Sequence, residues 1–116
     1  MVTNLLSYRR SGVADWIVQH FSALILAAYT IVMVVWLVVN GMELTFAQWQ
    51  GFIGQTWMRI FTLLTILALA SHAWIGLWTV ATDYLKKRVI RVAFLGFVGV
   101  SLFVYVVWGI IILWGF

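Results

Sequence analysis

Three long stretches of this chain contain no formally charged residue. They cover residues 16–42, 60–82 and 92–116 and are 27, 23 and 25 residues long. Each exceeds the roughly 20 residues that a helix needs to cross about 30 Å of hydrocarbon. Helices and closed barrels satisfy every backbone group in lipid, and these stretches lack the apolar–polar alternation of barrel strands. The sequence therefore predicts an all-α integral membrane protein with three transmembrane helices.

The composition agrees with lipid as the main solvent. Hydrophobic residues make up 66% of the 116 residues and charged residues 9%, whereas an average soluble domain has roughly 25% charged residues. A soluble domain this small could not bury so much apolar surface. We predict one membrane domain over 1–116, with spans at about 16–39, 58–83 and 90–114. The chain has no cysteine, which excludes disulfides and iron–sulfur ligation by its own side chains.

The basic residues predict the orientation. Arg9 and Arg10 precede the first span, and four more basic residues lie between the second and the third: Lys86, Lys87, Arg88 and Arg91. Two crossings return the chain to the same side, so six of the seven basic residues share one face, which the positive-inside bias makes cytoplasmic. We expect a cytoplasmic N-terminus and a periplasmic C-terminus. Basic residues placed beside apolar segments contact lipid headgroups and do not indicate nucleic-acid binding.

The segment between the first two spans is predicted to hold a short interfacial helix over about 46–55. Thr45 and Gln48 have the spacing of a capping box. Apolar residues recur there at helical spacing, namely Phe46, Trp49, Phe52 and Ile53. A helix with one apolar face suits the membrane interface.

His72 is the most informative polar residue. It lies 13 residues beyond Arg59 and 11 before Asp83, roughly 16 Å from the inner end of its helix at 1.5 Å per residue. An ionisable group at that depth is a functional-site hypothesis by default. A hydrogen bond between helices is the structural alternative. The residue alone leaves both interpretations open.

A stripe of small and polar residues shares the helix face of His72. Its other members are Thr65, Ala68, Gly76, Thr79 and Asp83. Small neighbours leave room for a flat, wide group, so a haem held by imidazole fits the stripe. Close packing of helices would explain Ala68 and Gly76, but not the deep imidazole.

His20 lies five residues after Asp15 and therefore only about 7 Å below the inner surface. Its depth differs from that of His72 by on the order of 9 Å, too much for both to bind one iron from opposite faces. If His72 binds a haem with two axial histidines, we expect the second from another subunit. His20 is a candidate contact for a haem propionate, or a residue among the headgroups.

Asp83 and Tyr84 end the second span. A tyrosine at this depth is commonly an interfacial anchor, and an aspartate there can pair with Lys86 or Lys87. The functional alternative is a phenolic donor beside a carboxylate, which suits hydrogen bonding to a quinone carbonyl and proton delivery. The spacing alone does not decide between them.

Two pieces of sequence, His-Ala-Trp-Ile-Gly within 69–78 and Thr-Asp-Tyr within 82–86, together resemble one family. They are similar to the hydrophobic membrane anchor of succinate dehydrogenase (respiratory complex II), proteobacterial type. The resemblance extends over nearly the whole chain, through Asn4 with Gly12-Val13 and Asp15, the outer loop 41–45 and a Trp114-Gly115 ending.

The resemblance implies a fold and a task. In this family, two anchor subunits supply three transmembrane helices each and hold a flavoprotein and an iron–sulfur protein at the bacterial inner membrane. Electrons pass from succinate to ubiquinone, with a haem b between the anchors, and the anchors do not oxidise succinate themselves. His72 matches the axial haem ligand, Tyr84 the tyrosine that hydrogen-bonds the quinone, and Asp83 its acidic neighbour.

One position departs from the family pattern, and other functions compete. Arginine stands in the family where this chain has His20, and a neutral histidine is a weaker partner for propionates. The main alternative is a haem-free structural subunit of another respiratory complex, in which His72 only packs helices. A fumarate reductase anchor fits less well, since some lack haem. A drug transporter would need a charged residue inside a span to couple protons, and none of the predicted spans has an interior carboxylate.

Overall fold

The computed structural model describes the backbone of residues 10–115 and the side chains of residues 12–115. Asn4 and Arg9, used above for the resemblance and the orientation, lie outside this range, as does the side chain of Arg10. Within the described range the chain is helical throughout apart from short connections. The elements are a π-helical turn over Arg10–Ala14 and four α-helices: α1 (Asp15–Val39), α2 (Phe46–Ile53), α3 (Thr56–Tyr84) and α4 (Arg88–Trp114).

Three of these helices are long and apolar enough to cross a membrane: the segments Gly12–Val39, Thr56–Tyr84 and Arg88–Trp114. The prediction of an all-α chain with three such helices is confirmed. α3 and α4 begin two residues earlier than the predicted spans, because a helix continues its hydrogen bonds past the hydrocarbon and into the headgroup region. Charged residues such as Arg59 and Arg91 therefore lie inside helices.

α3 is the central helix, and α1 and α4 both pack against it. The connections are short, so sequential helices run antiparallel. Two polar contacts hold α1 on α3: the hydroxyl groups of Tyr29 and Thr62 are 2.8 Å apart, and Ser22 Oγ lies 3.0 Å from His72 Nδ1. These contacts are about two turns apart on α1 and nearly three on α3, and they fix the register of α1 against α3.

One glycine lies at a close contact between α4 and α3. A Cβ added to Gly109 would lie 2.7 Å from Cδ1 of Ile66, which would have to move, whereas one on Gly99 would make an ordinary contact of 3.5 Å with the indole of Trp74. Small residues at such crossings let helix backbones come together, and the close packing that results is a main source of helix association in lipid.

The buried core lies at the end of the molecule that carries α2. Ile53, Met58 and Leu113 are almost fully buried there, with 3%, 0% and 3% of their surface exposed. Phe52 of α2 stacks on Trp36 of α1, with ring centroids 4.4 Å apart. α2 thus closes one end of the three-helix layer.

Both ends of the connection between α1 and α2 follow known capping rules. Gly41 has φ +81°, and the amides of Gly41 and Met42 bond to the carbonyls of Val38 and Leu37, which forms a Schellman motif. At the start of α2, the capping box of Thr45 and Gln48 is present as predicted. α2 ends at Ile53 rather than residue 55, because Gly54 caps it and Gln55 is extended.

Candidate functional site

His72 lies near the middle of α3, half-buried against α1. Its Nδ1 atom is 3.0 Å from Oγ of Ser22, across the interface between the two helices. Nε2 makes no hydrogen bond within residues 12–115. The structure therefore leaves one ring nitrogen of the deep histidine available to a ligand, while the other bridges two helices.

Ser22 is the residue that sequence reasoning missed. Only 4% of its surface is exposed, and its hydroxyl donates to the backbone carbonyl of Gln19, at 3.0 Å. Gln19 and Ser22 are three residues apart, so they lie on one face of α1. That face is the one turned toward His72 and Gly76.

The small residues of the stripe divide between two environments. Thr65 and Ala68 are buried, at 8% and 7% exposure. A Cβ added to Gly76 would lie 3.9 Å from Nε2 of Gln19. Gly76 therefore faces α1 across an ordinary packing distance, where the sequence pattern predicts space for a flat group. Thr79 and Asp83, further along the stripe, are exposed.

Open grooves flank α3 on both sides, toward α1 and toward α4. The first, about 370 Å³, lies between α1 and α3 and is lined by Ser22, Ala68, Ser71 and apolar side chains. The second, about 770 Å³, lies between α3 and α4 and has the indoles of Trp74 and Trp78 as walls, with Thr82 and Arg91 toward the basic loop. Ser22, which contacts His72, also lines the first groove.

His20 is exposed and bonded to its own helix. Its Nδ1 lies 2.8 Å from the carbonyl oxygen of Trp16, and its ring lies over the Trp16 indole with centroids 3.9 Å apart. Because a carbonyl can only accept, Nδ1 carries a proton and Nε2 is the atom left for a partner. The structure does not bring His20 into contact with His72.

Asp83 and Tyr84 are exposed on the last turn of α3, and 77% of Tyr84 is accessible. Within residues 12–115, Asp83 makes no hydrogen bond or ion pair, so the expected pairing with Lys86 or Lys87 is not formed there. Neither groove described above is lined by Asp83 or Tyr84. Both side chains are free to meet a ligand or another protein.

A haem is compatible with this donor set. The described residues contain no group of three or more histidine, cysteine, aspartate or glutamate side chains that could hold a bare metal ion. A haem needs only axial ligands from the protein, because its ring supplies the remaining nitrogens. A half-buried imidazole with one nitrogen bonded and the other free is a suitable axial ligand.

Fold and site together define a class: a small multi-pass membrane protein with one deep histidine held between helices. The sequence model of the succinate dehydrogenase/fumarate reductase transmembrane subunits matches residues 1–113. The chain belongs to this family. It is also 40% identical, over 105 residues and 90% of each chain, to the succinate dehydrogenase hydrophobic membrane anchor subunit of Coxiella burnetii (strain RSA 493 / Nine Mile phase I). The resemblance drawn from the two sequence pieces is confirmed.

Proposed function

We propose that this chain is the membrane anchor of a bacterial succinate dehydrogenase that binds haem b and helps to form the ubiquinone-reduction site. It acts without independent catalysis, beside a second three-helix anchor, an iron–sulfur protein and a flavoprotein. The observation that carries the proposal is the free Nε2 of His72, deep in α3, on a chain of this family. Bound haem b supplies one-electron storage close to the quinone.

His72 would hold the haem iron in this proposal. Its position, 13 residues from Arg59 and 11 from Asp83, corresponds to a depth at which water does not compete for the ring nitrogen. This chain offers one histidine at that depth, so any second ligand to the iron would come from the partner anchor. That partner also covers part of the apolar surface that α3 leaves open between α1 and α4.

Tyr84 and Asp83 form this chain's share of the quinone site. Reduction of a quinone takes up two electrons and two protons. The Tyr84 hydroxyl donates a hydrogen bond to a quinone carbonyl. This bond stabilises the negative charge that develops on the carbonyl oxygen as the quinone is reduced. The Asp83 carboxylate, exposed beside it, passes protons from the aqueous side. The iron–sulfur protein and the partner anchor complete the pocket.

His20 supports the haem only as a cation. With Nδ1 donating to the Trp16 carbonyl, contact with a propionate uses Nε2–H, so the ring must be doubly protonated to attract the anion. The contact is therefore weaker than that of the arginine in the family pattern.

The orientation follows from the basic loop. Lys86, Lys87 and Arg88 lie where α3 gives way to α4, and there they contact anionic headgroups on the cytoplasmic side of the inner membrane. The N-terminus lies on the same side, and the α2 end faces the periplasm. Asp83 and Tyr84 are then on the side where the soluble proteins of the complex dock.

One observation favours a second candidate, a haem-free structural subunit of another respiratory complex. The Ser22–His72 bond is a contact between helices, and it could be the whole purpose of the histidine. Purification of the tagged chain from its own membranes in mild detergent separates the two. We expect co-purification of a flavoprotein and an iron–sulfur protein, with succinate–ubiquinone reductase activity. Co-purification with a different complex would contradict the proposed function.

A further inference from the structure

The hydrogen bonds around Ser22 have a direction. Its hydroxyl has one proton, and that proton goes to the backbone carbonyl of Gln19, which can only accept. The same oxygen lies 3.0 Å from Nδ1 of His72. Toward the imidazole, Ser22 is therefore the acceptor, and Nδ1 carries the hydrogen. In a neutral ring the lone pair then resides on Nε2.

We propose that Ser22 is a positioning residue for His72: its hydroxyl selects the Nδ1–H tautomer and sets the rotation of the ring, so that the Nε2 lone pair is presented to the haem iron. This inference rests on the proposed ligation of haem by His72. It assigns to α1, which supplies no axial ligand, a direct influence on the iron through one hydrogen bond.

The environment makes this bond effective. Ser22 is 4% exposed, in a part of the helix pair where lipid offers no competing acceptor for the imidazole N–H. An acceptor on the second nitrogen of a ligating histidine fixes its tautomer and raises the basicity of the ligating atom. A more basic ligand stabilises ferric over ferrous iron, so the Ser22 bond lowers the reduction potential of the haem.

Comparison with other hydroxyls of this chain shows that the two hydrogen bonds of Ser22 are not a general feature of hydroxyl residues in its helices. Several bond back to a carbonyl of their own helix as Ser22 does, including Thr30, Thr65, Ser71, Thr79 and Thr82. Within residues 12–115, Ser22 is the one among these that also holds a side chain of another helix. Back-bonding alone satisfies a serine in a membrane helix; the second bond serves His72.

The test uses the complete complex purified with Ser22→Ala, Ser22→Thr, and Thr30→Ala as the matched control, since Thr30 lies on the same helix and, within residues 12–115, bonds only back to Leu26. Two quantities are measured: the midpoint potential of haem b by redox titration, and the rate of haem transfer to an apoprotein trap. We expect Ser22→Ala to raise the midpoint potential and to weaken haem retention roughly tenfold, the lower end for lost partners of metal ligands. Ser22→Thr keeps the hydroxyl and the wild-type values, and Thr30→Ala leaves both unchanged.

Wild-type potential and haem retention in Ser22→Ala would overturn the proposal. So would a Ser22→Thr variant that shifts the potential as far as alanine does, since the hydroxyl would then not be the cause. The His72→Ala variant distinguishes failure of the proposed haem ligation from failure of the positioning role of Ser22. If His72→Ala retains haem, the proposed ligation fails. If it loses haem while Ser22→Ala behaves as wild type, only the positioning role fails.

Discussion

Tyr84 and Asp83 are neighbours on the last turn of α3, and neither is used by the rest of the described chain. A phenol with 77% of its surface accessible can reorient at little cost, and the unpaired carboxylate beside it is free to carry protons. Their value to the protein therefore lies in what they meet outside it, which in the proposed function is the quinone.

Replacing Tyr84 with phenylalanine removes one hydroxyl and keeps the ring. We expect succinate–ubiquinone reductase activity at low quinone concentration to fall about tenfold, the effect of one lost hydrogen bond of ordinary strength. The haem spectrum should stay unchanged, because Tyr84 lies about three turns from His72. Tyr105→Phe, an exposed tyrosine of α4, is the control. Unchanged kinetics with Tyr84→Phe would remove this residue from the quinone site.

His72 could be predicted as a site residue from the sequence, whereas the role of Ser22 could not, and the reason is physical. An ionisable residue within a charge-free run is conspicuous because its burial is costly. A serine in the same setting is inconspicuous, since its hydroxyl usually bonds to its own helix. Whether it also meets a partner depends on the register of α1 against α3. The same register explains why the space predicted beside Gly76 is not found. Gly76 faces the side chain of Gln19 on α1, and this neighbour could not be read from the sequence of α3.

α3 is the helix against which the other helices pack. α1 and α4 contact it on different faces, and α2 closes one end. The helices themselves could be predicted, because three charge-free runs and a capping box are local signals. Their mutual register could not, because lipid solvates apolar side chains on every face and leaves no amphipathic pattern to read. Polar pairs such as Tyr29 with Thr62 set that register instead.

The end of α1 has Gly41 at the left-handed position of its Schellman motif. Its φ of +81° is left-handed, yet nothing lies within 4 Å of an added Cβ. We therefore expect Gly41→Ala to lower the stability of the purified complex through backbone strain alone, by about 1 kcal/mol. Thermal denaturation in detergent measures this.

Gly51 provides the matched comparison, because it lies within α2 and an added Cβ there also meets nothing within 4 Å. Gly51→Ala should raise the stability by up to about 1 kcal/mol, the difference in helix propensity. A stabilising effect of both alanines would contradict the Schellman geometry assigned to Gly41.

The whole described molecule is an elongated layer of 56 × 26 × 22 Å. Its length suits helices of 27 to 29 residues, which extend about 40 Å. Many large apolar side chains remain exposed, among them Phe97, Phe103 and Trp108 of α4. In the proposed function, a second anchor would cover part of this apolar surface and complete both the haem site and the quinone pocket.

The proposed function depends above all on His72 ligating a haem, and a visible spectrum decides this. The complex is purified with its native partners as wild type, as His72→Ala, and as Thr30→Ala, in which the lost hydroxyl bonded, among the described residues, only to Leu26 of its own helix. Reduced-minus-oxidised spectra, with dithionite as reductant, should show b-type bands in the wild type and the threonine variant. These bands should be lost or shifted in His72→Ala. Unaltered bands in His72→Ala, or no haem in the wild type, would contradict haem ligation and leave His72 as a packing residue.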